Sequence, residues 1–350
     1  MSAMGPVLSV RDLAAGLPAS GGEPARPLVE GVSFDLERGR VLALVGPCGS
    51  GKTLTALAIA RLLPPELRQL GGRVLLGGRD LGSLSEPELR ALRRRGMALV
   101  FQEPTSALSA VHTVGEQLAG ALRTTGAIEP TLFRGRERAR ARELLARVDL
   151  PAVDPLLDSY IHRLSAGMRR RVLIALALAG DPQLLIADDP TTGLDATVQS
   201  QIIDLLSRLV QRDGKSLVLV THDLSAVAEL ANDVLVLCDG QVVEAAPVTS
   251  LFERPQHPYT RALLASARHL AAAAVLGADA RQPSARAPAR WRHDPAPHGE
   301  GCRFSGRCPE RCSAPERHPR CGLEQPELGP DGARHRARCF YPELDGEARD

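Results

Sequence analysis

Long apolar runs and aromatic side chains are both scarce in this sequence. Its apolar stretches, such as Val172 to Gly180 and Leu270 to Gly277, stop at about half the ~20 residues a membrane-spanning helix needs. A membrane-spanning helix is therefore excluded. One Trp, three Tyr and six Phe in 350 residues leave little with which to stack nucleic-acid bases. A net charge of +2 shows no single-sign excess, so nucleic acid is not an expected partner. The N-terminal stretch MSAMGPVLSVRDLAAG lacks the basic start and long apolar core of a secretory signal, and a cytoplasmic chain is expected. With 44% hydrophobic and 24% charged residues, disorder throughout is also excluded.

The apolar material falls into strand-length runs: VLALVG (41–46), LLIADD (184–189), SLVLVTHD (216–223) and DVLVLCDG (233–240). Their continuity suits parallel strands covered on both faces. Helical spacing over Thr53–Leu63, Met168–Ala179 and Val198–Arg212 lies between them, which predicts an α/β layered core with a parallel sheet. Short alternating stretches at Val7–Val10, Val32–Leu36 and Arg73–Leu76 predict a small antiparallel sheet beside it. From 103 to 165 only helical patterns occur (Thr113–Leu122, Arg134–Val148), and the arginines of the second form a solvated face. The predicted organisation is a core over 1–102 and 166–245, a helical subdomain over 103–165, an extension and linker over 246–300, and a cysteine-rich tail over 301–350. The linker reading rests on the Ala, Pro and Arg of 271–297.

Gly46-Pro47-Cys48-Gly49-Ser50-Gly51-Lys52-Thr53 fits GxxxxGK[ST] between a predicted strand and a predicted helix. Such a loop curls its backbone N–H groups around phosphates, with Lys52 reaching the β and γ phosphates and Thr53 a magnesium ion. Asp188 and Asp189 end a hydrophobic strand, where the first acid suits Mg²⁺ and the second an attacking water; taken alone they also suit a solvated strand end. Leu164-Ser165-Ala166-Gly167-Met168 opens a helix, and a plain capped helix start explains it equally well.

The order of these features, with Gln102 after a strand, Gly193-Leu194-Asp195, and His222, resembles the ATP-binding subunit of ABC transporters over roughly residues 7–265. VFQEPTSALSAVHTVGEQL (100–118), DPQLLIADDPTTGLDATVQSQI (181–202) and LFERPQHPYTRALL (251–264) resemble the oligopeptide/dipeptide importer branch, and Met168 with Pro190-Thr191-Thr192 resembles its D-type ATPase. The resemblance implies ATP and Mg²⁺ at Lys52, Thr53, Gln102 and Asp188, catalysis by Asp189, His222 and Gln102, and a signature (Ser165, Ala166, Gly167) acting on ATP held by a head-to-tail partner. It places Asp195 at the dimer seam. The implied partners are a second, F-type ATPase, two membrane permeases and an extracytoplasmic peptide-binding protein. The implied location is peripheral, on the cytoplasmic face of the inner membrane.

Three positions depart from the family pattern. Asp189 stands where a glutamate is usual, Ala166 adds a methyl to the signature, and Val10–Pro27 holds no aromatic to stack on adenine. Slow hydrolysis at this chain's own site is the expectation. Import of nickel or another solute, and a regulatory protein that does not hydrolyse ATP, are the alternatives.

Among seven cysteines, five (Cys302, Cys308, Cys312, Cys321, Cys339) crowd the tail, a pattern that in a cytoplasmic chain reads as metal ligation. Spacing does not choose between zinc and iron–sulfur. GCRFSGRCP (301–309) and the closing Arg-Ala-Arg-Cys resemble the D-type tail, which implies a [4Fe-4S] cluster on Cys302, Cys308, Cys321 and Cys339, with Cys312 the alternate. Cys48 reads as a tolerated small side chain, Cys238 as core, and His257 as a structural turn residue.

Overall fold

The computed structural model describes residues 5–103, 107–127, 133–151, 153–276, 301–313, 316, 318–329 and 333–342. In chain order come β1 (Leu8–Leu17), β2 (Arg26–Leu36), β3 (Val41–Val45), α1 (Lys52–Ile59), β4 (Arg68–Leu76), β5 (Arg79–Asp80), α2 (Glu86–Arg95) and β6 (Met97–Val100). The insert holds α3 (Val114–Thr125), α4 (Phe133–Arg147) and α5 (Val153–Leu157). The core resumes with α6 (Ala166–Ala177), β7 (Leu184–Asp188), α7 (Ala196–Gln211), β8 (Ser216–Thr221), α8 (Leu224–Leu230), β9 (Asp233–Cys238) and β10 (Gln241–Pro247). Helices α9 (Val248–Glu253) and α10 (Pro258–Leu276) precede the tail elements α11 (Pro309–Ser313), α12 (Arg320–Leu323) and β11 (Arg336–Ala337).

The larger sheet runs β11-β10-β9-β3-β8-β7-β6, parallel from β9 to β6, with β10 and β11 added antiparallel at one edge. Both faces of β3 are covered, which is why VLALV shows no polar alternation. Val41, Ala43 and Val45 belong to the apolar layer that includes α7 and α8, whereas Leu42 and Leu44 belong to the layer shared by α1 and the smaller antiparallel sheet, β2-β1-β4-β5. The period of two in strand geometry thus feeds two separate apolar layers from one continuous run.

The insert is helical, as its spacing predicts. Thr113 and Glu116 form a reciprocal cap on α3, with Glu116 Oε2 accepting from Thr113 N at 2.7 Å and Thr113 Oγ1 from Glu116 N at 3.2 Å. Val114, Leu118 and Leu122 then pack into the layer that includes Leu144, Leu145 and Val148. Arg138 and Arg142 pair with Asp158 and Asp154 on the exposed side of α4, consistent with a solvated face.

Several boundaries differ from expectation. Strands β1, β2 and β4 are far longer than the short runs predicted, because register shifts around Asp12 and Ala15 interrupt the alternation by which a strand is recognised. Helix α1 stops at Ile59 rather than Leu63: Arg61 is left-handed (φ 56°) and Pro64 and Pro65 follow. Helix α10 runs to Leu276, into the predicted linker, whose remaining residues to 297 lie outside the described residues.

The tail is joined to the core through Glu244 of β10. This carboxylate is 0% exposed; it accepts backbone N–H bonds from Gln256 (2.8 Å) and His257 (2.9 Å) and lies 2.7 Å from His335 Nε2. Burial pushes its pKa up, but the bonds from His335 and the two amides outweigh burial and hold it below the ordinary carboxylate value. Beside it, β11 pairs with β10 through Glu244 and Ala245. His257 has the structural role expected: it is 1% exposed, its Nδ1 accepts from Tyr259 N at 3.1 Å, and burial pushes it down to about 4.

Candidate nucleotide site

The site is built at the carboxyl ends of β3, β7 and β8, where loops leave a parallel sheet. Residues 46–51 connect β3 to α1, and Gly51 takes φ +100° with a Cβ position 2.8 Å from Val29 Cγ2, so only glycine fits there. Helix α1 opens immediately after it and points its free N–H groups at the loop. Lys52 is 6% exposed, and its ammonium donates to Gly46 O at 2.8 Å and Pro47 O at 2.9 Å. Burial lowers its pKa, opposed by attraction from Asp189 first and then from Cys48 and Asp188.

Thr53 Oγ1 donates to Asp188 Oδ1 at 3.1 Å. Burial raises the Asp188 pKa, and the neighbouring Asp189 charge adds to that, against the Thr53 hydrogen bond and the Lys52 charge. A hydroxyl and a carboxylate side by side are hard oxygen donors, suited to a magnesium ion that takes its other ligands from water and phosphate. Asp189, 6% exposed with φ +42°, is fixed by its N–H to Val220 O at 2.8 Å. Its Oδ1 lies 3.0 Å from His222 Nδ1 and accepts from His222 N at 3.3 Å. Lys52, Thr53, Asp188, Asp189 and His222 are thus brought together as the motif order implies.

The other residues lie around a second opening. A cavity of about 400 Å³ is lined by Gln102, Ala166, Arg169, Arg170, Thr192 and Gly193. Gln102 and Ala166 are exposed there, and Ser165 is exposed next to Ala166. Ser165 caps α6, its Oγ accepting from Met168 N at 3.2 Å, and Asp195 caps α7, its Oδ1 accepting from Val198 N at 3.0 Å. Within this chain both residues therefore act as helix caps.

Sequence reasoning did not single out Arg170, one of the arginines at the start of α6. It is 2% exposed, and its guanidinium donates to Phe101 O (2.9 Å) and Thr192 O (3.4 Å). It thereby ties the residue before Gln102 to the segment after Asp189. Burial lowers its pKa, opposed by Asp189 and Asp188, so it adds a cation to the acidic pair. An arginine on the inward face of an apolar helix was the available signal.

The cysteine expectation is not supported. Among the described residues, no group of three or more His, Cys, Asp or Glu side chains is arranged to hold a metal ion. Burial raises the thiols of Cys302 and Cys321 and pushes Cys339 up to about 12, so without a metal these side chains are held protonated. The Cys312 side chain lies outside the described residues. Cys238 is core, 2% exposed, and Cys48 is exposed on the phosphate loop.

Comparison with known proteins agrees with this geometry. Residues 29–192 match the ABC transporter family, and residues 243–314 match the oligopeptide/dipeptide transporter C-terminal region. The chain is 38% identical to the oligopeptide transport ATP-binding protein AppD of Bacillus subtilis, over 91% of this chain and 92% of that one. It is also 38% identical to the dipeptide transport ATP-binding protein DppD of Escherichia coli, over 92% of each. Among solved structures, a dimeric ATP-binding cassette bound to ADP and Pi superimposes with a TM-score of 0.61 at 27% identity, covering 69% of this chain and 98% of that chain. On these grounds the chain belongs to the ABC transporter ATPases of the oligopeptide/dipeptide importer family.

Proposed function

We propose that this chain is a motor subunit that binds and hydrolyses ATP to drive uptake of di- or oligopeptides through paired membrane permeases. The observation that carries the reading is the convergence of Lys52, Thr53, Asp188, Asp189 and His222 at the sheet's carboxyl edge. The glycine loop and the α1 N-terminus bind phosphates, and Lys52 turns from its own carbonyls to the β and γ oxygens. Thr53, Asp188 and, through its exposed amide, Gln102 would hold Mg²⁺, which when bound neutralises charge between the terminal phosphates. Asp189 orients the attacking water, and His222 contacts the γ-phosphate.

The segment Ser165, Ala166 and Gly167, of which the first two are exposed, completes a site on a companion ATPase of the F type, in head-to-tail arrangement, with Asp195 at the seam. Closure of that pair is the two-state element that nucleotide biases. Support comes from the 400 Å³ cavity between Gln102 and the start of α6, which is open for a partner surface. Among the described residues no helix is long and apolar enough to cross a membrane, which fits a peripheral subunit on the cytoplasmic face supplied by a peptide-binding protein outside. The decisive experiment is co-purification with two integral membrane subunits, followed by ATPase assay in vesicles. Stimulation by peptide-loaded binding protein supports the reading; stimulation by a nickel-loaded one instead, or none, overturns it.

The finer reading of the tail is a [4Fe-4S] cluster on Cys302, Cys308, Cys321 and Cys339. Its support is that Cys302 N donates to Cys321 O at 3.0 Å, which brings two of the four cysteines side by side. Stoichiometric iron and acid-labile sulfide in anaerobically purified chain is the expected result, and a metal-free chain with full transport activity discards it.

A further inference from the structure

Asp239 and Gly240 form the two-residue turn joining β9 to β10, with φ of 47° and 80°, the left-handed pair a tight type I′ hairpin requires. This turn is wedged against the phosphate loop. Gly240 N donates to Ser50 O at 3.0 Å, Glu30 N donates to Gly240 O at 2.9 Å, and a Cβ on Gly240 would lie 2.0 Å from Leu28 O.

The C-terminal region grips the same turn from the other side. Arg307 pairs with the Asp239 carboxylate, and Arg303 donates to the Asp239 carbonyl and pairs with Glu30. Between the two arginines, Phe304 is 1% exposed and packs edge-on against Tyr259 at 5.2 Å between ring centres. A cavity of about 360 Å³ with Pro47, Cys48, Ser50, Tyr259 and Arg307 in its walls lies where tail and phosphate loop face each other.

We propose that the C-terminal region braces the phosphate loop: Arg303 and Arg307 fix the Asp239–Gly240 turn, the turn fixes Ser50, and nucleotide affinity depends on that support. The inference rests on residues 46–53 being the nucleotide site. Both arginines are positioning residues that act through the turn. Without them the loop is ordered only when nucleotide arrives, and the ordering entropy is subtracted from binding. The tail then has a role in the ATP cycle that requires no metal.

The test is equilibrium binding of radiolabelled Mg-ATP to the full chain and to its Arg307→Met, Arg307→Lys, Asp239→Asn and Arg307→Met/Asp239→Asn variants. The dissociation constant is expected to rise about fivefold in Arg307→Met and in Asp239→Asn, as for a partly exposed ion pair of about 1 kcal/mol. It should rise no further in the double variant and recover in Arg307→Lys. In the assembled transporter Arg307→Met, Asp239→Asn and their double variant raise KM for ATP and leave kcat within about twofold, and Arg307→Lys restores KM. Arg261→Met, which removes a tail contact with Glu310 that does not involve Asp239 or Gly240, leaves ATP affinity unchanged. Binding in Arg307→Met equal to the parent's, full additivity in the double variant, or an equal loss in Arg261→Met each overturns the brace. Should Arg307→Met not fold, Asp239→Asn with the tail intact decides in the same way. A parent chain that does not bind Mg-ATP refutes the nucleotide reading itself, and the brace with it.

Discussion

Lys52→Ala is expected to weaken Mg-ATP binding by about a thousandfold, measured by calorimetric titration of the full chain, with folding checked by thermal melting. The magnitude follows from where the ammonium sits. It is buried, held by two loop carbonyls, and close enough to Asp188 and Asp189 for their charges to act on it. Its removal takes away the cation that meets the terminal phosphates, and it also leaves the acidic pair less compensated, so the incoming polyanion is repelled more strongly. Arg170 still lies near that pair, but it is committed to Phe101 O and Thr192 O. Binding within about tenfold of the parent would show that the loop's backbone amides and the helix N-terminus alone hold the triphosphate.

Asp189→Glu is expected to speed hydrolysis at this chain's own site by about a hundredfold, while Asp189→Asn changes total turnover of the assembled transporter little. The backbone of residue 189 is pinned by the bond to Val220 O, and its carboxylate is turned to His222. The aspartate therefore has no freedom to advance toward a water in front of the γ-phosphate. A glutamate extends the carboxylate by one methylene from the same fixed Cα, and a displacement of about 1 Å is worth on the order of a hundredfold in rate. Single-turnover measurements separate the two sites of a heteromer. Abolition of all ATPase activity by Asp189→Asn would refute slow hydrolysis at this chain's own site.

The parallel core was legible because its strands are buried on both faces and so appear as unbroken apolar runs, from VLALV to LVLV. The phosphate loop, Asp188 and Asp189 were legible because local motif and strand end coincide. Strand β1 was legible only at its start, Val7–Val10, since its bulge near Asp12 breaks the period of two beyond it. Arg170 was hidden among three consecutive arginines, of which Arg170 and Arg171 are both buried, a distinction only tertiary packing makes. The grip of Arg303 and Arg307 on Asp239 joins residues more than sixty positions apart, which no local pattern encodes. Thiol spacing suggested ligation; the burial that raises the tail thiols was not visible in it.

The pairing of β11 onto β10 has a further consequence for how this polypeptide behaves while it is being made. Val242, Val243, Ala245 and Ala246 belong to an apolar strand toward the margin of the sheet, and among the described residues β11, translated well after it, pairs with its outer edge. Until that segment emerges from the ribosome, β10 offers unpaired amides and carbonyls to any neighbouring molecule. The tail thus arrives late to cover a sheet edge, and chains cut before β11 are expected to aggregate more readily than the full one.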